Sequence, residues 1–203
     1  MKKRFFSIIL ALVIMATSFT GAFAQYLPYN SEVITMGESR ATWDHIEKFS
    51  NFKSKGTSYN DDTIVGDTNV EWEIKNARKA PTEYSIEGGG ITLHFDESKG
   101  NSYIKGKVQN GIGSIEIDVR KAFTSDQERV VYLYINGEKK DSVFINYPGK
   151  NSEIFKLKAY NLNIPAEAEI LIRSDKTEKA RQVTINNLRW TDYEEKVPPL
   201  PQG

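Results

Sequence analysis

The chain has 203 residues, a formal net charge of zero and no cysteine. This length suits one domain with a substantial core and is too short for two ordinary domains. The balanced charge excludes nucleic-acid binding driven by bulk positive charge, and the lack of cysteine excludes disulfides and a cysteine-linked lipid anchor.

The first 24 residues have the pattern of a secretory signal peptide. A basic start precedes a long apolar run, and Ala22-Phe23-Ala24 fits the small-residue cleavage site. Because Lys2, Lys3 and Arg4 are among the 27 basic residues, cleavage leaves 24 basic against 27 acidic side chains, a net of −3. No second long apolar run follows. We therefore expect a secreted protein that contacts neither membrane nor nucleic acid after cleavage.

Residues 25–44 are polar without a sustained period, which predicts a loosely ordered leader. The stretch "KSKGTSYNDDTIVGDTN", residues 53–69, has the composition of a loop. At the other end, residues 194–203 are rich in proline, which lacks the donor that a strand needs, so we predict a tail there.

Between these ends, residues 45–193 carry the pattern of one β domain. Strand-like runs recur about every ten residues with turn residues between them, as in a sandwich or barrel. The expected strands are 70–74, 84–86, 91–95, 102–108, 114–123, 129–135, 142–147, 153–160, 168–174 and 182–193. Asn136-Gly137 is the clearest hairpin turn, and no segment has the apolar period of a helix.

The strand "SIEIDVRKAF" raises the question of function. Alternation directs Ile115, Ile117 and Val119 inward and Glu116, Asp118 and Arg120 outward. An Asp118–Arg120 ion pair on a solvated sheet face is the plain interpretation.

The same strand resembles, in part, the E-x-D-x-x-E strand of laminarinase-type glucanases. The position of the last carboxylate, the general acid of that family, is occupied here by Lys121. A retaining glycosidase needs two carboxyl groups, one of them protonatable, so the strand does not support that activity. His45 and His94 are separated, with no metal-binding spacing and no evident orienting neighbour for a catalytic triad.

In the following strand, "RVVYLYI", the outward positions are Tyr132 and Tyr134. If this strand neighbours the preceding one, both rings lie beside Asp118 and Arg120. Aromatic faces next to planar charged groups can hold sugar rings, and the same surface could contact a protein. We predict these four residues as the ligand-binding surface.

Several stretches occur in a familiar order: "FSNFKSKGTSYNDDTIVGDTNVEWEIKNAR", "GGGITLHF", "GIGSIEIDVRKAF", "LYINGE" and "VTINNLRWTDY". Together they resemble an accessory β-sandwich domain of secreted bacterial proteins, often found beside extracellular nuclease, lamin-tail or cell-surface modules. The resemblance spans roughly residues 45–193.

The resemblance implies an all-β, two-sheet antiparallel β-sandwich of the jelly-roll type, like carbohydrate-binding modules and galactose-binding-like domains. It implies no catalytic residues. In such folds a structural Ca²⁺ often links the first strand to the last, which places Glu47 and Asn186 in the ligand positions. Asn186 departs from the acidic residue usual there.

The leading hypothesis is a secreted, non-catalytic module that binds a glycan, either a polysaccharide or part of a cell envelope. One alternative is a protein-interaction or structural module of the cell surface or matrix. Another is a polysaccharide-degrading enzyme with an unrecognised site.

Overall fold

The computed structural model describes residues 42–54, 56–94, 100–126, 128–174 and 181–195. Within them lie eleven strands and one short 3₁₀ turn, Thr82–Tyr84. The strands are β1 His45–Glu47, β2 Asn60–Val65, β3 Glu71–Lys79, β4 Ile91–Leu93, β5 Ser102–Val108, β6 Ser114–Lys121, β7 Arg129–Ile135, β8 Glu138–Ile145, β9 Ile154–Ala159, β10 Ala168–Ser174 and β11 Val183–Thr191.

Every ladder between these strands is antiparallel. The hydrogen-bonded path runs β8-β7-β10-β5-β3-β4-β11-β6-β9, with β2 on β3 and β1 on β11. We call β8, β7, β10, β5, β2 and the start of β3 the first layer. The end of β3, β4, β11, β1, β6 and β9 form the second layer. The predicted all-β antiparallel sandwich is confirmed.

Strand β3 passes from one layer to the other at Asn76. Its first half pairs with β5, and its last three residues pair with β4. Asn76 has a φ of 46°, which is outside the extended range and bends the strand. Its amide donates to Asp61 (2.8 Å) and its side chain to the carbonyl of His94 (2.7 Å), so the corner is fixed by hydrogen bonds.

One apolar core fills the space between the layers. Alternation supplies it as expected: Ile115, Ile117 and Val119 of β6 are fully buried, as are Val131 and Leu133 of β7. Because both layers direct one face into this single core, their other faces point away from each other. Those two outer faces are where candidate functional residues lie.

Some predicted strands differ from the observed ones. Residues 60–65, interpreted as loop, form β2, an edge strand whose polar sequence fits because Ile64 is its one core residue. Residues 84–86, interpreted as a strand, belong to the 3₁₀ turn and a single bridge from Ile86 to Gly89. Asn136 and Gly137 both have positive φ, so the predicted hairpin turn is confirmed.

The predicted signal peptide, residues 1–24, lies outside the described residues, as do nearly all of 25–44 and of 194–203. Within the described part of the chain, no helix has the length and apolar character needed to cross a membrane.

Candidate functional site

Glu116 and Asp118 are on the outer face of the second layer, but that face is not solvated at their positions. Only 6% of Glu116 and 7% of Asp118 is exposed. Arg189 of β11 bonds both carboxylates, at 3.1 Å from Asp118, and Lys156 of β9 pairs with Glu116. We call these four residues the ionic cluster. The expectation of a solvated face was wrong here because β6 is a central strand whose neighbours supply covering side chains.

The ionic cluster keeps Glu116 ionised. Burial by itself would raise the pKa of Glu116, but hydrogen bonds from Lys156, Tyr160 and Arg189 outweigh it and lower the pKa to about 2. Tyr160 contributes its hydroxyl at 2.7 Å. The general acid of a glycosidase must carry a proton near neutral pH, and a carboxyl group with so low a pKa cannot serve as that acid.

Arg120 has a different partner from the one expected. Its guanidinium donates to the carbonyl of Ser85 (2.6 Å) and, more weakly, to that of Asn151 (3.4 Å). These bonds hold the loop after the 3₁₀ turn against the second layer. Asp118 instead accepts bonds from Arg189 and, at 3.0 Å, from the Asn187 side chain. Arg120 and Asp118 are therefore each hydrogen-bonded within the protein, and not to each other.

Lys121, at the position of the missing carboxylate, faces inward at the end of β6. Its ammonium donates to the carbonyls of Tyr147 and Gly149, the latter at 2.6 Å. Burial, and secondarily the charge of Arg129, lowers the pKa of Lys121. This lysine ties a loop to the core.

Tyr132 and Tyr134 are on β7, whose neighbours are β8 and β10. Asp118 and Arg120 are on β6, whose neighbours are β11 and β9. The tyrosines thus face outward from the first layer, and the charged residues face outward from the second. The prediction that all four form one surface was wrong, because β6 and β7 follow each other in the sequence but are not neighbours in the sheet.

The first layer brings other residues to the tyrosines. Arg173 of β10 is opposite Tyr132 on one side and opposite Tyr103 of β5 on the other. Its guanidinium lies 4.7 Å from the centre of the Tyr134 ring and donates to the Tyr134 hydroxyl at 3.1 Å. The Tyr132 and Tyr134 rings are 6.2 Å apart. We call Tyr103, Tyr132, Tyr134 and Arg173 the tyrosine face.

All three tyrosines of this face are half-buried, so each ring is supported by neighbours and reachable from solvent. The Tyr103 hydroxyl donates to Glu73 at 2.5 Å, and Lys105 pairs with the same carboxylate at 2.7 Å. The bond to Glu73, reinforced by burial, raises the pKa of Tyr103 to about 12. Tyr103 and Arg173 were not predicted as site residues, although alternation directs both outward, because only the strand order shows that they meet.

Glu47 does not have the features of a calcium ligand. Its carboxylate is fully buried and accepts five hydrogen bonds. They come from the amides of Phe49 (2.7 Å), Asp67 (3.1 Å) and Thr68 (3.3 Å), from the Thr68 hydroxyl (2.9 Å) and from the Trp72 indole (3.1 Å). These donors use the lone pairs of the carboxylate, which thereby joins β1 to the loop before β3.

Asn186 donates its side-chain amide to the carbonyl of Ile86 at 2.8 Å, while its buried Oδ1 has no hydrogen-bond partner among the described residues. One amide oxygen and one carboxylate that already accepts five hydrogen bonds fall short of the six to eight oxygens that Ca²⁺ takes. No group of three or more acidic, histidine or cysteine residues in the described ranges could hold a metal. The residues named for calcium therefore do not fit it.

A cleft of about 540 Å³ opens where β3 and β5 separate. His45 lies in it, stacked on Trp190 at 4.8 Å and 21°, with its Nε2 2.9 Å from Asp192. Asp192 also accepts from the side chain of Asn110 at 3.1 Å. The sequence offered no sign of this histidine–carboxylate pair, because its two residues are 147 positions apart in the chain.

Within the described ranges, no free hydroxyl or thiol lines the cleft beside this pair. Among the lining residues that the structure describes, Thr68 carries the single hydroxyl, and this hydroxyl donates to Glu47. A serine-type hydrolase needs a hydroxyl that is hydrogen-bonded to the histidine. No described residue of the cleft supplies that hydroxyl to His45.

No protein-family model matches the chain, and no curated protein matches it. Several solved structures are similar. The CBM36-1 domain of a multidomain xylanase from the hindgut metagenome of Trinervitermes trinervoides is 15% identical, with a TM-score of 0.42, covering 74% of this chain and 98% of that one.

A carbohydrate-binding module CBM36 in complex with calcium and xylotriose is also 15% identical, with a TM-score of 0.42, covering 65% of this chain and 99% of that one. A glycoside hydrolase family 43 arabinoxylan arabinofuranohydrolase from Bacillus subtilis, in complex with cellotetraose, is 10% identical with a TM-score of 0.42. The match covers 66% of this chain and 27% of the hydrolase. Likeness at this level identifies neither a ligand nor a site residue in this chain.

Proposed function

We propose that this protein is a secreted, non-catalytic β-sandwich that binds a polysaccharide through the tyrosine face. The observation that carries the proposal is the cross-strand row Tyr132–Arg173–Tyr103, with Tyr134 beside it. The signal-peptide pattern of residues 1–24 supports the secretion that we propose.

The chemistry of the tyrosine face suits sugar rings. A pyranose has apolar C–H faces that pack on aromatic rings, and hydroxyls that accept hydrogen bonds from a guanidinium. Strands in a sheet are about 4.8 Å apart, so Tyr132 and Tyr103, two strands away, are separated by about 10 Å. That spacing favours a chain of sugars lying across the strands over a single small sugar.

The test is electrophoresis in native gels that contain soluble xylan, mixed-linkage glucan or another polysaccharide from a broad panel. We expect at least one polymer to retard the wild type. Tyr132→Ala and Tyr103→Ala should lose that retardation and keep nearly the same melting temperature. Tyr147→Ala, which removes an exposed tyrosine outside the tyrosine face, is the matched control and should be retarded like the wild type.

Equal mobility of the wild type and the tyrosine variants in every gel, with and without polymer, would refute polysaccharide binding. Loss of retardation in Tyr147→Ala as well as Tyr132→Ala would show that the effect does not belong to the tyrosine face.

A protein partner is the second candidate, and one observation favours it. Phe144 on the edge strand β8 is 49% exposed and is opposite Val130, next to Tyr132 on the outer face of the first layer. Aromatic residues are enriched at protein–protein interfaces. Self-association in sedimentation experiments that disappears in Phe144→Ser would support this candidate.

A further inference from the structure

We propose that the cleft between β3 and β5 is a second subsite for the same polysaccharide and takes one sugar unit beyond the tyrosine face. This inference rests on the proposed function. It follows from the continuity of the two regions, from the shape of the cleft and from the side chains along its walls.

The cleft and the tyrosine face share a border. Glu73 and Lys105 line the cleft, and Glu73 also holds the hydroxyl of Tyr103. Lys105 and Glu73 are the last two members of a row of residues that crosses four neighbouring strands. In this row each residue is opposite the next one, in the order Tyr134–Leu171–Lys105–Glu73. The row crosses three strand intervals, about 14 Å, so a sugar chain that follows it arrives at the mouth of the cleft.

The opening exists because β3 stops pairing with β5 at Trp72 and Gly106. Beyond that pair, β5 continues while the chain before β3 turns away. Gly106 cannot carry a side chain, since a Cβ there would be 2.5 Å from the Trp72 ring. The Trp72 ring fills that space and packs directly on the backbone of β5 where the cleft begins. The volume of the cleft is in the range of sites for small ligands.

The walls of the cleft present groups that recognise sugars. The His45 ring is held in one orientation by Trp190 behind it and by Asp192 at its edge. Such a fixed ring can pack against a pyranose with little loss of conformational entropy. Glu71 and Gln109, both exposed on the rim, can accept hydrogen bonds from hydroxyls.

The experiment uses the whole secreted chain and a ladder of oligosaccharides, from the disaccharide upward, prepared by partial hydrolysis of the polymer that retards the wild type. Affinities are measured by calorimetry for the wild type, His45→Ala and Glu71→Ala. Glu153→Ala, which removes an exposed carboxylate remote from the cleft, is the matched control. Glu71→Ala keeps the inference testable if loss of the His45 stacking weakens the fold.

We expect both cleft variants to bind the disaccharide like the wild type and the longer oligosaccharides about tenfold more weakly, a loss of about 1.4 kcal/mol. The gain in affinity with length should end one unit earlier than in the wild type. Equal affinities at every length would overturn the cleft subsite and leave the tyrosine face intact. If no polymer of the panel binds the wild type, the proposed function itself is overturned.

Discussion

The outer faces of both layers carry polar side chains around an arginine, but the side chains are covered on one layer and half-exposed on the other. On the second layer, Glu116 and Asp118 are covered and bonded by Arg189 and Lys156. On the first layer, the three tyrosines of the tyrosine face remain half-exposed around Arg173. Polar groups whose bonds are completed inside the protein stabilise it, whereas supported but uncovered rings remain available to a ligand.

The largest loss of stability is expected on removal of Glu47, a buried residue of the second layer. Glu47→Ala leaves the Trp72 indole, the Thr68 hydroxyl and three amides without their acceptor, so we expect a loss of about 4 kcal/mol in the free energy of unfolding. Urea unfolding measures it, with Glu71→Ala, which alters an exposed carboxylate, as control.

The same preparation tests calcium. Because Glu47 is saturated by donors, the unfolding curve of the wild type should be identical in EDTA and in millimolar calcium. A midpoint that falls in EDTA would show that an ion stabilises the fold after all.

The next largest effect belongs to the ionic cluster. Arg189→Met leaves two buried carboxylates without their guanidinium and should cost about 3 kcal/mol in urea unfolding. Adding Glu116→Gln and Asp118→Asn to that variant should recover part of the loss, because the unpaired charges are then absent. Retardation by polysaccharide should stay as in the wild type. A drop in retardation without a drop in stability would mean that the second layer binds the ligand.

The low pKa of Glu116 predicts that the free energy of unfolding depends on pH. Its folded pKa, about 2, is below the ordinary value of 4.5, so its contribution is complete above about pH 5 and is lost as pH falls toward 2. Glu116→Gln should therefore cost about 1–2 kcal/mol at pH 7. The difference from the wild type should shrink steadily between pH 4.5 and pH 2. A difference that stayed constant over that interval would contradict the ionic account.

The smallest expected effect comes from a pair of variants that distinguishes the contribution of a tyrosine ring from that of its hydroxyl. Tyr134→Phe removes the acceptor of Arg173 and keeps the ring, so stability should change by no more than about 1 kcal/mol. If stacking dominates, polysaccharide retardation persists in Tyr134→Phe and is lost in Tyr134→Ala. Equal loss in both variants would assign recognition to the hydroxyl and Arg173 instead of the ring.

The sequence alone determined the class of fold and, in the strands that it predicted correctly, which residues face outward. Strands 102–108, 129–135 and 168–174 were predicted with their observed bounds, because alternation and turn residues are local signals. The outward direction of Glu116, Asp118, Tyr132 and Tyr134 was correct for the same reason. The polar edge strand β2 was missed because one core residue in six gives no periodic signal.

Only the tertiary structure decided which outward residues meet and which of them are covered. Strand order places Tyr132 beside Arg173, distant in sequence, and away from Arg120, nearby in sequence. It also covers Asp118 with side chains from β11 and β9, and it joins His45 to Asp192. The period of a strand fixes direction through local backbone geometry, whereas neighbours depend on the free energy of the whole packed sandwich.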